Sequence, residues 1–152
     1  MKKNIIIIAA ASLLSFANAQ VFAAKTSATN YVTPKMQDEL KNEFGGVQNV
    51  SWAKRADNQV VATFTMNTQT VSAYFGTDGE YSFSTAEVSK ENLPIKVTLA
   101  VNKDLANKNI RSILQMSNAE GTSYFIMASD VNGKTKVYKA YTNGEIELFK
   151  TI

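Results

Sequence analysis

Between Gln59 and Phe83 apolar residues occupy every second position through three short runs, and polar turn residues separate the runs. Successive side chains of a strand point to opposite faces, whereas a helix repeats about every 3.6 residues, so the stretch reads as half-buried β-structure. "QVVATFTM" places Val60, Ala62, Phe64 and Met66 on one face, with Val61, Thr63 and Thr65 on the other. "TVSAYF" places Val71, Ala73 and Phe75 opposite Thr70, Ser72 and Tyr74, and beyond "TDGE" the residues Tyr81 and Phe83 alternate with Ser82 and Ser84. Three hairpin turns follow from the breaks: "ADN" near 56 to 58, "NTQ" near 67 to 69 and "TDG" at 77 to 79. Asp-Gly and Asn-Gly accept the positive φ that tight hairpins need.

A helix precedes this meander. In "TPKMQDELKNEFGG", Thr33 is suited to cap the start, Pro34 to occupy the first helical position, and Gly45 and Gly46 to end it. Met36, Leu40 and Phe44 form its apolar stripe. The order then begins again: "ENLPIKVTLAVNKDLANK" spaces Val97, Val101 and Leu105 by four, and "NIRSILQM", "TSYFIMAS", "KTKVYKAY" and "EIELFK" follow as strand-like runs with "VNGK" and "TNGE" as turns. Aligning Thr77-Asp78-Gly79-Glu80 with Thr142-Asn143-Gly144-Glu145 sets the halves 33–88 and 89–152 in correspondence as a weak internal repeat. The expected class is α+β: two αββββ modules whose antiparallel sheets join into one curved sheet, with helices on one face, forming a single domain over 33–152.

Ahead of it, "MKKNIIIIAAASLLSFANAQVFAAK" has the lysine-first, apolar, small-residue order of a secretory signal peptide over 1–19, with a later cleavage site as far as 24 and a flexible lead-in over 20–32. The apolar run is too short to serve as a stable membrane anchor. The expected destination is the periplasm or the exterior. Loss of Lys2 and Lys3 with the leader lowers the formal charge from +3 to +1, and no basic stripe interleaved with aromatics is present, which disfavours nucleic acid as a partner.

The signal-like start, the short helix ending in Phe44, "VSW" at 50 to 52, aromatic strands with a D-G turn, "LP" at 93 to 94 and a final N-G turn together resemble the PepSY-like, β-lactamase-inhibitor-like secreted domains of bacteria. The resemblance implies two αβ modules with joined sheets, and an open sheet face that grips a protein. It also implies a second kind of partner, because PepSY domains are associated with restraining secreted peptidases. The disulfides and the inserting loop of the inhibitors have no match in this chain.

Composition narrows the chemistry. With no histidine and no cysteine, Ser-His-Asp and Cys-His nucleophile systems and the usual zinc ligands are excluded. "SDVNGK" at 129 to 134 lacks the oxygen ligands of a calcium loop and reads as a hairpin turn. Asp78, Glu80, Glu145 and Glu147 flank the two Gly turns and read as solubilising charge at strand ends rather than as acid/base pairs. Neither glycine-rich stretch has the pattern of a phosphate loop. No catalytic residue, metal site or cofactor is expected.

Surfaces remain. The face turned away from the helices would carry Thr63, Thr65, Ser72, Tyr74, Ser82 and Ser84 in the first half, and Val137, Lys139, Tyr141, Glu147 and Phe149 in the second. Aromatic rings among small hydroxyls give large contact area at low entropic cost. The expected function is therefore an exported, non-enzymatic module that holds a protein or peptide on Thr63, Thr65, Ser72, Tyr74, Ser82, Lys139, Tyr141 and Phe149, restraining a secreted enzyme in its strongest form. The alternative is an envelope-associated protein that buries the same face in a homodimer. Trp52, beside Val50 in the first strand, is expected in the core or as a packing anchor between the modules, ahead of a direct binding role.

Overall fold

A computed structural model describes residues 30–152. The expected leader and most of the lead-in lie outside the described residues. The chain forms α1 (Pro34–Phe44), β1 (Ser51–Lys54), β2 (Val60–Met66), β3 (Gln69–Phe75), β4 (Tyr81–Glu87), a 3-10 turn (Lys90–Asn92), α2 (Ile95–Asp104), β5 (Asn109–Asn118), β6 (Gly121–Ser129), β7 (Thr135–Tyr141) and β8 (Ile146–Thr151).

Helix α1 forms where its signals place it. The Thr33 side chain accepts a hydrogen bond from the Met36 amide at 3.2 Å, and Gly45 at φ 71° ends the helix with its amide bonded to the Lys41 carbonyl. Helix α2 is rich in β-branched residues and has no side-chain cap, yet Val97, Val101 and Leu105 are all buried. Tertiary burial outweighs the weak local propensity there.

The two-module expectation is corrected by the sheet. All eight strands belong to one antiparallel sheet in the order β1-β2-β3-β4-β5-β6-β7-β8, and β4 pairs directly with β5 from Ser84↔Ser117 to Glu87↔Leu114. A separate four-stranded module would leave the backbone of β4 as an unpaired edge, a template for stray association, and pairing with β5 removes it. The domain is thus a single sheet with two helices.

Both helices lie on one side. Met36 and Leu40 of α1 pack on Val60, Ala62, Phe64, Val71, Ala73 and Phe75, with Trp52 and Phe44 against the same cluster. Val97 and Val101 of α2, and Leu105 directly after it, pack on Ile113, Tyr124, Ile126 and Ala140. A third cluster, on the other side, contains strand residues alone: Val61, Tyr74, Phe83, Met116, Phe125 and Val137, with Leu114 and Phe149 against it. It crosses the β4–β5 seam without interruption.

The turns "TDGE" and "TNGE" share one geometry. In each, the Asx side chain accepts from the amide two residues on, Glu80 or Glu145, and the glycine amide bonds back to the residue that ends the preceding strand or follows it directly, Tyr141 or Gly76. Each glycine also abuts the start of a helix. A Cβ at Gly79 would lie 3.2 Å from the Thr33 hydroxyl, and one at Gly144 would lie 3.0 Å from the Lys96 carbonyl oxygen. Lys35 reinforces the first contact with an exposed 3.1 Å ion pair to Glu80.

Candidate interaction face

The sheet face away from the helices is built by register. Val61 pairs with Tyr74 and Tyr74 with Phe83, and the stripe continues diagonally through Met116 and Phe125 to Val137. The Tyr74 and Phe83 rings stack at 4.4 Å between centroids with only 12° between planes. Tyr74 is 1% exposed, so its ring is a packing element and not an accessible contact. Burial pushes its hydroxyl above the ordinary tyrosine pKa, with the Thr85 side chain and Arg55 acting in the opposite direction.

A β-bulge at Tyr74/Phe75 changes the phase of β4. Phe75 pairs with Tyr81 but Tyr74 with Phe83, so Ser82 is the extra residue. Tyr81 consequently joins the α1 side, Phe83 takes the opposite face, and Ser84, paired with Ala73, is turned to the helix side. Ser82 is exposed beside the turn and apart from the stripe. Thr63 and Ser72 are partners across β2–β3 with their hydroxyls 3.4 Å apart, and Thr65 is exposed further along β2.

The other expected residues come together on β7 and β8. The Tyr141 hydroxyl donates to the Glu147 carboxylate at 2.6 Å, Lys139 Nζ lies 4.6 Å from the centre of the Tyr141 ring and 6.0 Å from that of Phe125, and Phe149 meets Phe125 edge-on at 5.1 Å. Lys139, Tyr141 and Phe149 are half-buried. This cluster is a cation and a carboxylate held on aromatic rings, an arrangement that offers both charge and flat apolar area. A small recess of about 130 Å³ beside it is bounded by Met116, Asn118, Thr122, Ser123, Lys139 and Tyr141.

Sequence reading missed Phe83, Met116 and Phe125. The signal for Phe125 was present but masked: Tyr124, Phe125, Ile126 and Ala128 are all buried, so β6 reads as one apolar run with no alternation to assign its faces.

The fold has solved counterparts. A BLIP-like protein from Bacteroides fragilis superposes with a TM-score of 0.70 at 18% identity, covering 79% of this chain and 86% of that one. A DUF2874 family protein from Bacteroides ovatus gives 0.69 at 20% identity over 82% and 89%, and a predicted periplasmic protein from Bacteroides eggerthii gives 0.67 at 17% over 80% and 90%. At these identities the likeness is one of fold. It supports the inhibitor-like side of the resemblance, while the PepSY side has no counterpart in these three. No family model matches the chain, and no curated protein does. Among the described residues there is no group of three or more Asp or Glu that could hold a metal, and no helix long and apolar enough to cross a membrane.

The hydrogen bond to Glu147, with burial second, raises the pKa of Tyr141, while nearby Lys139 opposes the shift. A proton held more tightly in the folded state stabilises the fold below the ordinary tyrosine pKa, and that contribution is lost as pH rises through the raised value. In an alkaline titration followed by tyrosinate absorbance, Glu147→Gln is expected to move one tyrosine transition down toward the ordinary value of about 10. An unshifted titration would mean that the 2.6 Å contact does not persist in solution.

Proposed function

We propose that this protein is an exported, non-enzymatic binding module that holds another protein or a peptide on the sheet face opposite its helices. The observation that carries the reading is the Lys139–Tyr141–Glu147–Phe149 cluster, set at one end of an apolar stripe on which, among the described residues, no helix packs. Thr63, Thr65 and Ser72 supply hydroxyls at the other end. Tyr74 acts from beneath, by fixing the stripe. The BLIP-like neighbour supports a binding role through its description alone. Export rests on the leader, and restraint of a secreted enzyme is the strongest form of the same reading.

Affinity capture from the native envelope fraction tests it. The double variant Tyr141→Asp, Lys139→Glu places carboxylates beside Glu147 and reverses the local charge without touching a fully buried residue. It should retain the melting temperature and lose the captured partner. Undiminished capture would reject this face. Sedimentation at low concentration separates the homodimer alternative, since a self-associating face would give a dimer that the same variant dissolves.

A further inference from the structure

The two helices do not cover the sheet evenly. Between the cluster under α1 and the cluster under α2, the helix-side positions of the β4–β5 seam change character: Ser84 pairs with Ser117 and Ala86 with Gln115. Above this polar floor is a cleft of about 450 Å³, walled by Glu43 and Phe44 at the end of α1, by Met66 and Gln69 at the β2–β3 turn, and by Asn118 at the β5–β6 turn. Small-ligand sites fall in the range of about 300–1,000 Å³.

Its polar groups are held in place before any ligand arrives. The Tyr81 hydroxyl lies 3.1 Å from both the Ser117 carbonyl, to which it donates, and the Ser84 hydroxyl. Gln115 Nε2 donates to the Ser117 hydroxyl at 3.4 Å, and that hydroxyl is 3.0 Å from Thr122 Oγ1. Burial raises the Tyr81 pKa, the Ser84 hydrogen bond opposes the shift, and the charge of Glu43 on the cleft wall adds a smaller rise. No lysine or arginine lines the cleft, which leaves an anion without a counter-charge. Phe44 and Tyr81 pack edge-on against each other with centroids 5.7 Å apart, and two rings in mutual contact do not form a cage for an ammonium group.

What remains is a mixed set of side-chain amides, hydroxyls and one carboxylate, offering donors and acceptors together beside apolar Phe44, Met66 and Ala86. A ring of hydroxyls with one apolar side is the ligand chemistry that uses both. We propose that this cleft binds a neutral saccharide unit, independently of the interaction face on the other side of the sheet.

Amide chemical-shift perturbation on the full chain tests the inference, with maltose, cellobiose and N,N′-diacetylchitobiose as probes and tri-alanine as the peptide control. At least one disaccharide should give saturable shifts centred on Gln69, Tyr81, Gln115 and Ser117, with Kd of about 1 mM or tighter. Gln115→Ala, and separately the more peripheral Gln69→Ala, should each weaken binding by about tenfold, the loss expected of a hydrogen bond worth about 1.4 kcal/mol. Tyr141→Asp, Lys139→Glu should leave it unchanged. Saturation by tri-alanine alone, shifts centred elsewhere, no saturable shift with any disaccharide, or full retention of binding in a folded Gln69→Ala variant would each overturn the assignment.

Discussion

Replacing Phe75 with alanine should lower the unfolding free energy by about 3–5 kcal/mol, the usual cost of emptying a fully buried aromatic site. Phe75 has no exposed surface. Its ring lies 5.5 Å from that of Trp52 and 6.2 Å from that of Tyr81, so it joins the edge strand β1 to the far side of the β3–β4 hairpin. The side chain also sits at the β-bulge, where the register shifts between Tyr74 and Phe75. Collapse around the cavity would have to move a kinked backbone, which argues for the upper part of the range. Domains of ordinary stability hold about 5–15 kcal/mol in total, so urea denaturation should show the midpoint falling by a large fraction with little change in slope. A loss below about 1 kcal/mol would mean that the three-ring contact is not part of the folded state in solution.

The second large effect is expected at a glycine. Gly144 has φ of 93° and its missing Cβ would meet the Lys96 carbonyl oxygen of α2 at 3.0 Å, while Gly133 has φ of 78° with nothing within 4 Å. Alanine at either site pays for the left-handed backbone, about 1–2 kcal/mol. At Gly144 it must also displace backbone of the first turn of α2, a helix with no side-chain cap to hold it. Gly144→Ala should therefore destabilise by about 1–3 kcal/mol more than Gly133→Ala. Equal costs for the two variants, measured by thermal melting under one buffer condition, would remove the close approach from consideration.

Local features of the chain were readable in proportion to how local their causes are. Thr33 and Pro34 mark the start of α1 and Gly45 its end, each through groups within about a turn of it, and the alternation through β2 and β3 reports strand structure directly, although Val61 and Tyr74 bury the second face as well. Helix α2 was readable from Val97, Val101 and Leu105 despite their poor propensity, because the spacing records a buried stripe. The pairing of β4 with β5 was not readable as a single sheet, since nothing local to Ser84–Glu87 specifies Leu114–Ser117 as its partner. The bulge after Tyr74 was equally silent, and one inserted residue was enough to exchange the faces assigned to Phe83 and Ser84 while Tyr81 kept its own. Of the residues expected on the open face, Lys139, Tyr141 and Phe149 converge, Tyr74 lies buried, and Ser82 stands apart. The cleft over the seam was invisible because Ser84, Gln115 and Ser117 look like any solvated strand face until the helices on either side are placed.

Every strand in this sheet neighbours the strand next to it in the chain, so six of its seven pairings close through short connections and the seventh must wait for the passage from Glu87 to Asn109 to fold up. Short loops cost little entropy to close and form early, whereas the longer passage is the expensive closure. Assembly should accordingly run as two zippers that meet. The rate of refolding then belongs to the middle of the molecule, and substitutions at Ala86 or Leu114 should slow refolding, while comparable substitutions at the outer strands mainly speed unfolding.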